Sequence, residues 1–265
     1  MKARILILLL FPTLLFGQND SSSYSIWPSK AYFKSYLTDT KTIITSPARF
    51  DRKDWLTAGA VTATGLIIFT QDKSVNRFFQ GRTKPFMDDL SRYGFEPIGR
   101  GIYPVLLSGG LYLHATVKQN AYDRKVALHA VKAMVISGLF TQTAKQIFHR
   151  HRPEHPNPGK WEGPIGSVRF RSFPSGHSTM AFAAATFFAE AYSDKKWIPV
   201  ATYTMATLAA ASRMYDNEHW FSDVFFGSVI GYFTAKAIYH QNFSDQKSPV
   251  NIGFQSSGLG VSYRF

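Results

Sequence analysis

Long apolar segments separated by short polar stretches make up most of this chain, and none of those segments alternates strictly between apolar and polar positions. In a half-buried strand apolar and polar side chains alternate, and in a packed helix they do not. The pattern therefore predicts an all-α fold, a helical bundle. The predicted helices are an uncharged run, Trp55–Thr70, after a helix start at Asp51–Asp54, and the segments Gly101–Val117, Arg124–His149, Ser178–Tyr192, Trp197–Arg213 and Ser222–His240.

The pattern changes towards the C-terminus. Two short alternating stretches after Pro249 flank a Gln-Ser-Ser-Gly turn, which predicts a short β-hairpin-like tail ending at Phe265. The chain is therefore expected to contain a signal peptide at 1–17, an N-terminal extension at 18–50, a helical domain at 51–242 and a C-terminal tail at 243–265.

The first 17 residues have the order of a secretory signal peptide. Lys2 and Arg4 precede the apolar stretch Ile5–Phe16, and a small residue, Gly17, comes before Gln18. This predicts a periplasmic or cell-envelope protein. The alternative is an N-terminal anchor helix that is not cleaved.

Polar residues interrupt the predicted helices. A helix that crosses a membrane needs about 18–20 consecutive apolar residues, but Lys132 and Lys236 lie inside two of the runs and Pro104 inside a third. The mean hydropathy of −0.12 is also low for a protein with many membrane spans. The pattern favours buried helices of a soluble or peripheral protein over a membrane-embedded bundle.

The formal net charge of +13 favours anionic partners, such as phosphate esters or lipid headgroups, and peripheral contact with an anionic membrane. A solvated basic surface is the alternative. No nucleic-acid-binding motif is present, so no nucleic acid is expected as a partner. The absence of cysteine excludes disulfides.

Three short stretches carry candidate chemistry. In the first, Lys145-x6-Arg152-Pro153, the two cations are seven residues apart, so on a continuing helix that Pro153 stops they project from one face. Cations that complement a helix dipole give the same pattern. In the second, Pro174-Ser175-Gly176-His177, the backbone can approach an anion at a helix start, although a plain turn and N-cap also fits.

The third stretch is Ser212-Arg213-x5-His219-x3-Asp223. On a helix His219 and Asp223 share one face, where the carboxylate can accept from Nδ1–H and leave Nε2 free to attack. A surface His–Asp pair is the alternative for this stretch taken alone. All three stretches in this order supply cations, a Ser-Gly turn and two histidines, which suits phosphoryl chemistry.

Together the stretches resemble the signature of the type 2 phosphatidic acid phosphatase and vanadium haloperoxidase superfamily, K-x6-RP, PSGH and SR-x5-H-x3-D, and match it at every position. The resemblance implies a helical bundle around a phosphate pocket. It implies that His219 is the nucleophile, that Asp223 orients it, and that His177 is the general acid and then the base. The implied phosphate-binding residues are Lys145, Arg152, Ser175, Gly176 and Arg213. No metal or other cofactor is expected.

Two further features lie between the first two stretches. His149, His151 and His155 suggest a metal site, but a basic loop is the favoured interpretation because the chain offers no cysteine ligand. The segment Glu154–Phe173 is a candidate substrate-contacting loop that carries Trp161, Arg169, Phe170 and Arg171, with a plain connection as the alternative.

The sequence thus predicts a metal-independent phosphatase that hydrolyses phosphate mono- or diphosphate esters, with a phosphorylated lipid as the favoured substrate. A small phosphate ester hydrolysed by a broad-specificity soluble acid phosphatase is one alternative. A vanadium-dependent haloperoxidase is another, and an envelope protein with a vestigial site is a third, which the intact His219, Asp223 and His177 disfavour.

Overall fold

The structure, a computed structural model, describes residues 28–82, 84–165, 171–247, 250–255 and 258–263. The predicted signal peptide and its cleavage site lie outside the described residues, and so do Arg169 and Phe170 of the candidate substrate loop.

The predicted all-α bundle is confirmed. The helices are α1 (Lys30–Ile44), α2 (Arg52–Gln80), α3 (Pro85–Asp89), α4 (Glu96–Gly99), α5 (Ile102–Val117), α6 (Ala121–Phe148), α7 (Gly176–Ala191), α8 (Trp197–Tyr215) and α9 (Phe221–Lys247). A π-helical turn, Leu90–Phe95, joins α3 to α4, and short 3-10 turns occur at Ser46–Arg49 and Gly163–Ile165.

Some helix bounds differ from those predicted. The N-terminal extension contains α1, which was not expected because its tyrosines and lysines give a weakly apolar pattern; Ser29 caps it by accepting from the backbone of Tyr32. The second helix runs past the uncharged stretch to Gln80, and a reciprocal capping box between Asp51 and Asp54 fixes its start.

Helix α7 lies at the centre of the bundle and packs against α6, α8 and α9. Its alanine-rich face allows close approach, and Ala183 and Phe187 are fully buried against Ala130, Met134 and Ile238 of the neighbouring helices. The close approach of α9 depends on glycine, because a Cβ at Gly231 would lie 2.3 Å from the Thr179 carbonyl oxygen. This packing holds the start of α7 beside the start of α9.

A buried ion pair ties α1 to α6. Lys132 is fully buried and donates to Asp39 at 2.5 Å, to Ser35 at 3.0 Å and to Asn242 of α9 at 3.2 Å. The lysine that interrupts the apolar run is therefore neutralised inside the protein.

Many large apolar side chains are exposed on the outer helices, contrary to the expectation of buried helices. They include Leu56, Leu66 and Ile67 on α2, Leu106, Leu113 and Val117 on α5, and Trp197 and Val200 on α8. Within the described part of the chain, α6 is the one helix long and apolar enough to cross a membrane. The expectation that no run has this property is wrong for α6, because a single lysine does not outweigh the apolar residues around it.

The tail forms the expected hairpin. Strand β1 (Val250–Gln255) pairs antiparallel with β2 (Gly258–Tyr263), with Ile252 opposite Val261.

Candidate active site

Helix α6 ends before the first cation-rich stretch is complete. His149 adopts the left-handed conformation, with φ 41°, and closes the helix after Phe148. The expectation that Lys145 and Arg152 lie on one continuing helix is therefore wrong: Lys145 is in the last turn of α6, and Arg152 follows in an irregular segment. The left-handed residue, rather than Pro153, ends the helix.

Lys145 is buried and its ammonium group donates to the backbone carbonyls of Arg171 and Ser172. Burial lowers its pKa to about 8, while the nearby Asp223 opposes this shift. Asp223 and Arg152 both act on the Lys145 charge, so the first and third stretches meet at the same place.

The second stretch forms the N-terminus of α7. Ser175 is its N-cap and accepts from the backbone of Ser178 at 3.3 Å. The backbone N–H of Ser175 donates to the Asp223 carbonyl at 2.9 Å, which joins the start of α7 to the start of α9. The Ser175–His177 turn therefore caps the helix, as one interpretation of the sequence had it. It also lies at a helix start, a position that suits an anion.

His177 lies in the first turn of α7, and its Nε2 is buried without a hydrogen-bond partner among the described residues. Burial and the positive charge of Arg213 lower its pKa to about 3. The imidazole is therefore neutral in the free protein at neutral pH. Its back packs tightly on α4, because a Cβ at Gly99 would lie 2.7 Å from the His177 Cβ.

The two arginines of the signature are each paired with an acid from the turn after α8. Arg213 is buried and contacts Asp216 at 2.5 Å. Arg152 is partly exposed and contacts Glu218 at 2.5 Å. These two carboxylates therefore fix the orientation of both guanidinium groups.

His219 and Asp223 do not share a helix face, contrary to expectation. Helix α9 begins at Phe221, so His219 lies in the preceding turn and Asp223 in the first turn of α9. The distance from His219 Nδ1 to Asp223 Oδ2 is 3.7 Å, longer than a hydrogen bond. The Ser172 hydroxyl lies between them, 3.4 Å from Nδ1 and 2.5 Å from Oδ2.

Both members of this pair are almost fully buried. Burial lowers the pKa of His219 to about 4, although Asp223 acts in the opposite direction. Burial alone would raise the pKa of Asp223, but His219 and Arg150 outweigh it and lower that pKa. At neutral pH the site therefore holds a neutral imidazole next to a charged carboxylate, the state in which Nε2 can attack an electrophile.

Several side chains at this site were missed from the sequence. Arg150, two residues before the signature arginine, donates to Asp223 at 2.6 Å, and Asp72 of α2 contacts the same guanidinium at 2.6 Å. A lone carboxylate directly after an uncharged apolar run was a usable signal for Asp72. Ser172 and Glu218 offered no such signal, because serine and glutamate are common in loops.

The other histidines are held by loop backbone. His149 Nδ1 is 2.8 Å from the Gly163 carbonyl and His151 Nδ1 is 2.8 Å from the Asn157 carbonyl. The rings of His151 and His155 are 4.3 Å apart. Over the described ranges, no group of three or more His, Cys, Asp or Glu residues is arranged to hold a metal ion.

The site thus brings together residues from all three stretches. His177 and His219 act on each other electrostatically, and Lys145 and Arg213 both act on His177. The cations and the helix N-terminus are suited to bind a tetrahedral anion. The neutral, buried imidazole of His219 is suited to attack it, and the second imidazole, that of His177, has a nitrogen without a hydrogen-bond partner among the described residues.

Comparison with known proteins finds similarity to phosphatases. The chain is 33% identical over 108 residues to the lipid A 1-phosphatase of Porphyromonas gingivalis, covering 40% of this chain and 22% of that protein. It is 25% identical over 185 residues to lipid phosphate phosphatase 1 of Arabidopsis thaliana, covering 59% and 56%. The chain therefore spans about a fifth of the length of the first relative and just over half of the length of the second.

A similar fold occurs in the crystal structure of a transmembrane PAP2-type phosphatidylglycerolphosphate phosphatase from Bacillus subtilis. The TM-score is 0.53 at 18% identity, with 82% of this chain and 96% of that chain covered. The sequence model of the PAP2 superfamily matches residues 126–247, which include all three stretches. With this match, the shared signature and the shared fold, residues 126–247 form a PAP2 superfamily domain.

Proposed function

We propose that this protein is a metal-independent phosphatase that acts on a phosphorylated lipid through a phosphohistidine intermediate. The observation that carries the proposal is the buried, neutral imidazole of His219, with cations on the same side of the bundle and a carboxylate behind it. Neutral histidine is a nucleophile, and surrounding cations stabilise the charge that develops on a transferring phosphoryl group.

In the first step His219 Nε2 attacks phosphorus, and the bond from phosphorus to the ester oxygen breaks. His177 supplies the proton that this leaving oxygen takes up. The pKa of His177 is about 3 in the free protein because of burial and of Arg213. A bound phosphate dianion next to this ring raises that pKa, so substrate binding favours the protonated form of the acid.

In the second step a water oxygen attacks phosphorus and the N–P bond breaks. The now neutral His177 takes the proton of that water, which returns His219 to its starting state and releases inorganic phosphate. Lys145, Arg152 and Arg213 stabilise the equatorial oxygens in both steps, together with the N-terminus of α7.

The lipid substrate rests on two observations. The relatives named above are a lipid A phosphatase and a lipid phosphate phosphatase. The outer faces of α2, α5 and α8 expose large apolar side chains, a surface that suits a protein working on a lipid. A broad-specificity acid phosphatase has no need of such a surface.

Phosphate release by the purified full chain tests this function. We expect phosphatidate, an isoprenyl diphosphate or lipid A to be hydrolysed faster than a soluble aryl phosphate. EDTA should leave the rate unchanged, and vanadate should inhibit, because it adopts the five-coordinate geometry of the transition state.

Three results would contradict the proposal. Hydrolysis of aryl phosphate with none of the lipid substrates favours the soluble acid phosphatase. Bromide oxidation with vanadate and peroxide, without phosphate release, favours the haloperoxidase. Activity lost in EDTA and restored by Zn²⁺ would argue against a metal-independent site.

The second part of the proposal concerns location. We propose a cell-envelope protein that associates with a membrane through its exposed apolar faces, supported by basic charge. Contiguous exposed apolar surface on a monomer marks an interaction with lipid or with another protein. Peripheral contact through charge alone leaves Leu66, Leu106 and Val117 in water.

Fractionation of cells that express the full chain tests this location. We expect the protein in the membrane fraction after both a high-salt wash and a carbonate wash, because salt screens charges but does not weaken apolar contacts. Detergent should release it. Release by salt alone would restore the peripheral interpretation, and N-terminal sequencing of the same sample shows whether the mature chain begins near Gln18.

A further inference from the structure

Arg150 is a buried cation that binds the carboxylate beside the candidate nucleophile, although it lies outside the signature. It is buried, and Nη1 donates to Asp223 Oδ1 at 2.6 Å and to Ser222 Oγ at 2.8 Å. Nη2 donates to Asp72 Oδ2 at 2.6 Å. The guanidinium carbon is also about 5 Å from three aromatic rings, those of Phe69, Trp161 and Trp220.

Asp72 comes from α2, outside the segment that the PAP2 superfamily model matches. Its carboxylate accepts from Arg150 and also from Ser222, whose backbone N–H is 2.8 Å from Oδ1 and whose hydroxyl is 2.7 Å from Oδ2. Both oxygens are therefore bound to the first turn of α9 or to the cation beside it. The buried carboxylate of Asp72 thus holds both the first turn of α9 and the Arg150 guanidinium in place.

The network ends at the carboxylate that faces the nucleophile. Arg150 holds one oxygen of Asp223, while Ser172 Oγ and the Trp220 backbone N–H hold the other, at 2.5 and 2.9 Å. With every oxygen bound, the carboxylate cannot rotate. Its plane, and the 3.7 Å separation from His219 Nδ1, are set by these partners.

We propose that Asp72 and Arg150 are positioning residues, which orient His219 by fixing Asp223. The proposal rests on the phosphatase function proposed above and adds residues to that site. A buried ion pair is by itself weak evidence of a contribution to stability. This pair differs from a purely structural one because it ends on the carboxylate beside His219.

Replacing Asp72 by asparagine keeps the shape and removes the charge. The Arg150 guanidinium then has one carboxylate partner instead of two, and its whole charge acts on Asp223. The charge of Asp223 then acts less strongly on the His219 ring, and its carboxylate is less firmly oriented. Since small misplacements of a reacting group cost roughly 10²-fold, we expect kcat to fall by about 10- to 100-fold. KM should change little, because Asp72 contacts none of the residues proposed to bind phosphate.

The experiment compares wild type, Asp72→Asn, Asp72→Glu and a matched control, Asp39→Asn, in the full chain. Asp39 is also a buried carboxylate paired with a buried cation, Lys132, but its partners lie away from the site. We expect the control to lose thermal stability and keep kcat per folded molecule. Asp72→Glu restores the charge and should recover part of the lost kcat. Asp72→Asn with kcat within twofold of wild type, or with a loss that matches the control, would overturn the proposal.

A binding measurement separates this inference from the phosphatase function. Vanadate accepts a histidine nitrogen as a fifth ligand and therefore reports on the orientation of His219, whereas inorganic phosphate reports on the cations alone. We expect Asp72→Asn to weaken vanadate binding by about tenfold, while phosphate binding stays within twofold of wild type.

The outcomes are distinct. Equal effects on vanadate and phosphate, or none on either, overturn the positioning role even when wild type is an active phosphatase. Failure of wild type to bind either oxyanion overturns both proposals. Binding of both without phosphate release overturns the phosphatase alone, and the vanadate-to-phosphate ratio still decides the role of Asp72.

Discussion

We expect His219→Ala to abolish phosphate release from every substrate, because no other described side chain in the site combines a neutral, buried nucleophilic nitrogen with an orienting carboxylate. Asp223→Asn should lower kcat by roughly 10²–10⁴-fold, as expected for the loss of an orienting carboxylate. Single-turnover assays with ³²P-labelled substrate provide the measurement. Label that stays bound to the wild-type protein and is released by acid reports the phosphohistidine.

The two variants also test each other. Asp223→Asn should still form the labelled intermediate, more slowly, whereas His219→Ala should form none. His219→Ala that retains full turnover rules out the histidine nucleophile. Phosphate binding that survives in both variants shows that the fold is intact.

Gly227→Ala should damage both stability and activity, because a Cβ at this position lies 2.3 Å from the Ser175 carbonyl oxygen. The only relief is separation of α7 from α9, which moves the Ser175–His177 turn away from His219. Overpacking of this kind costs about 1–3 kcal/mol of unfolding free energy. The displaced turn should reduce kcat by roughly 10²-fold. Thermal unfolding and initial rates measure the two effects.

Gly109→Ala is the matched control. Gly109 is also helical, but a Cβ there meets no atom within 4 Å. Alanine should therefore raise stability by up to about 1 kcal/mol through its higher helix propensity and leave kcat unchanged. A Gly227→Ala variant that behaves like this control would show that α7 and α9 can separate without affecting the site.

The sequence predicted the helical bundle and the three stretches because both depend on local signals. Apolar segments without alternation identify helices, and a run such as Ser212-Arg213-x5-His219-x3-Asp223 is informative without any knowledge of its neighbours. Helix bounds were less predictable. The left-handed conformation of His149 ends α6 early, and only the folded chain reveals it.

The site residues that the sequence analysis did not predict are brought together by long-range contacts. Asp72 and Asp223 are bridged by one guanidinium, although they are 151 positions apart in the chain. No spacing rule connects a carboxylate in one helix with an arginine in a distant loop. Buried polar networks of this kind become visible only when every donor and acceptor is placed.

The exposed apolar faces were missed for a different reason. Single interruptions such as Lys132 were taken as evidence against contact with lipid, but that charge is buried and paired with Asp39. What matters is which face a charge occupies, and composition averaged along a helix does not report it.

The pairing of Arg213 with Asp216 and of Arg152 with Glu218 has a consequence for product release. The site contains its own counter-anions, so in the proposed mechanism a phosphate group enters by exchange with carboxylates rather than by addition to bare cations. The affinity for inorganic phosphate is then a difference between two attractions, and it is smaller than the count of positive charges suggests. In that mechanism the tethered carboxylates replace the product as it leaves, which restores the site for the next turnover.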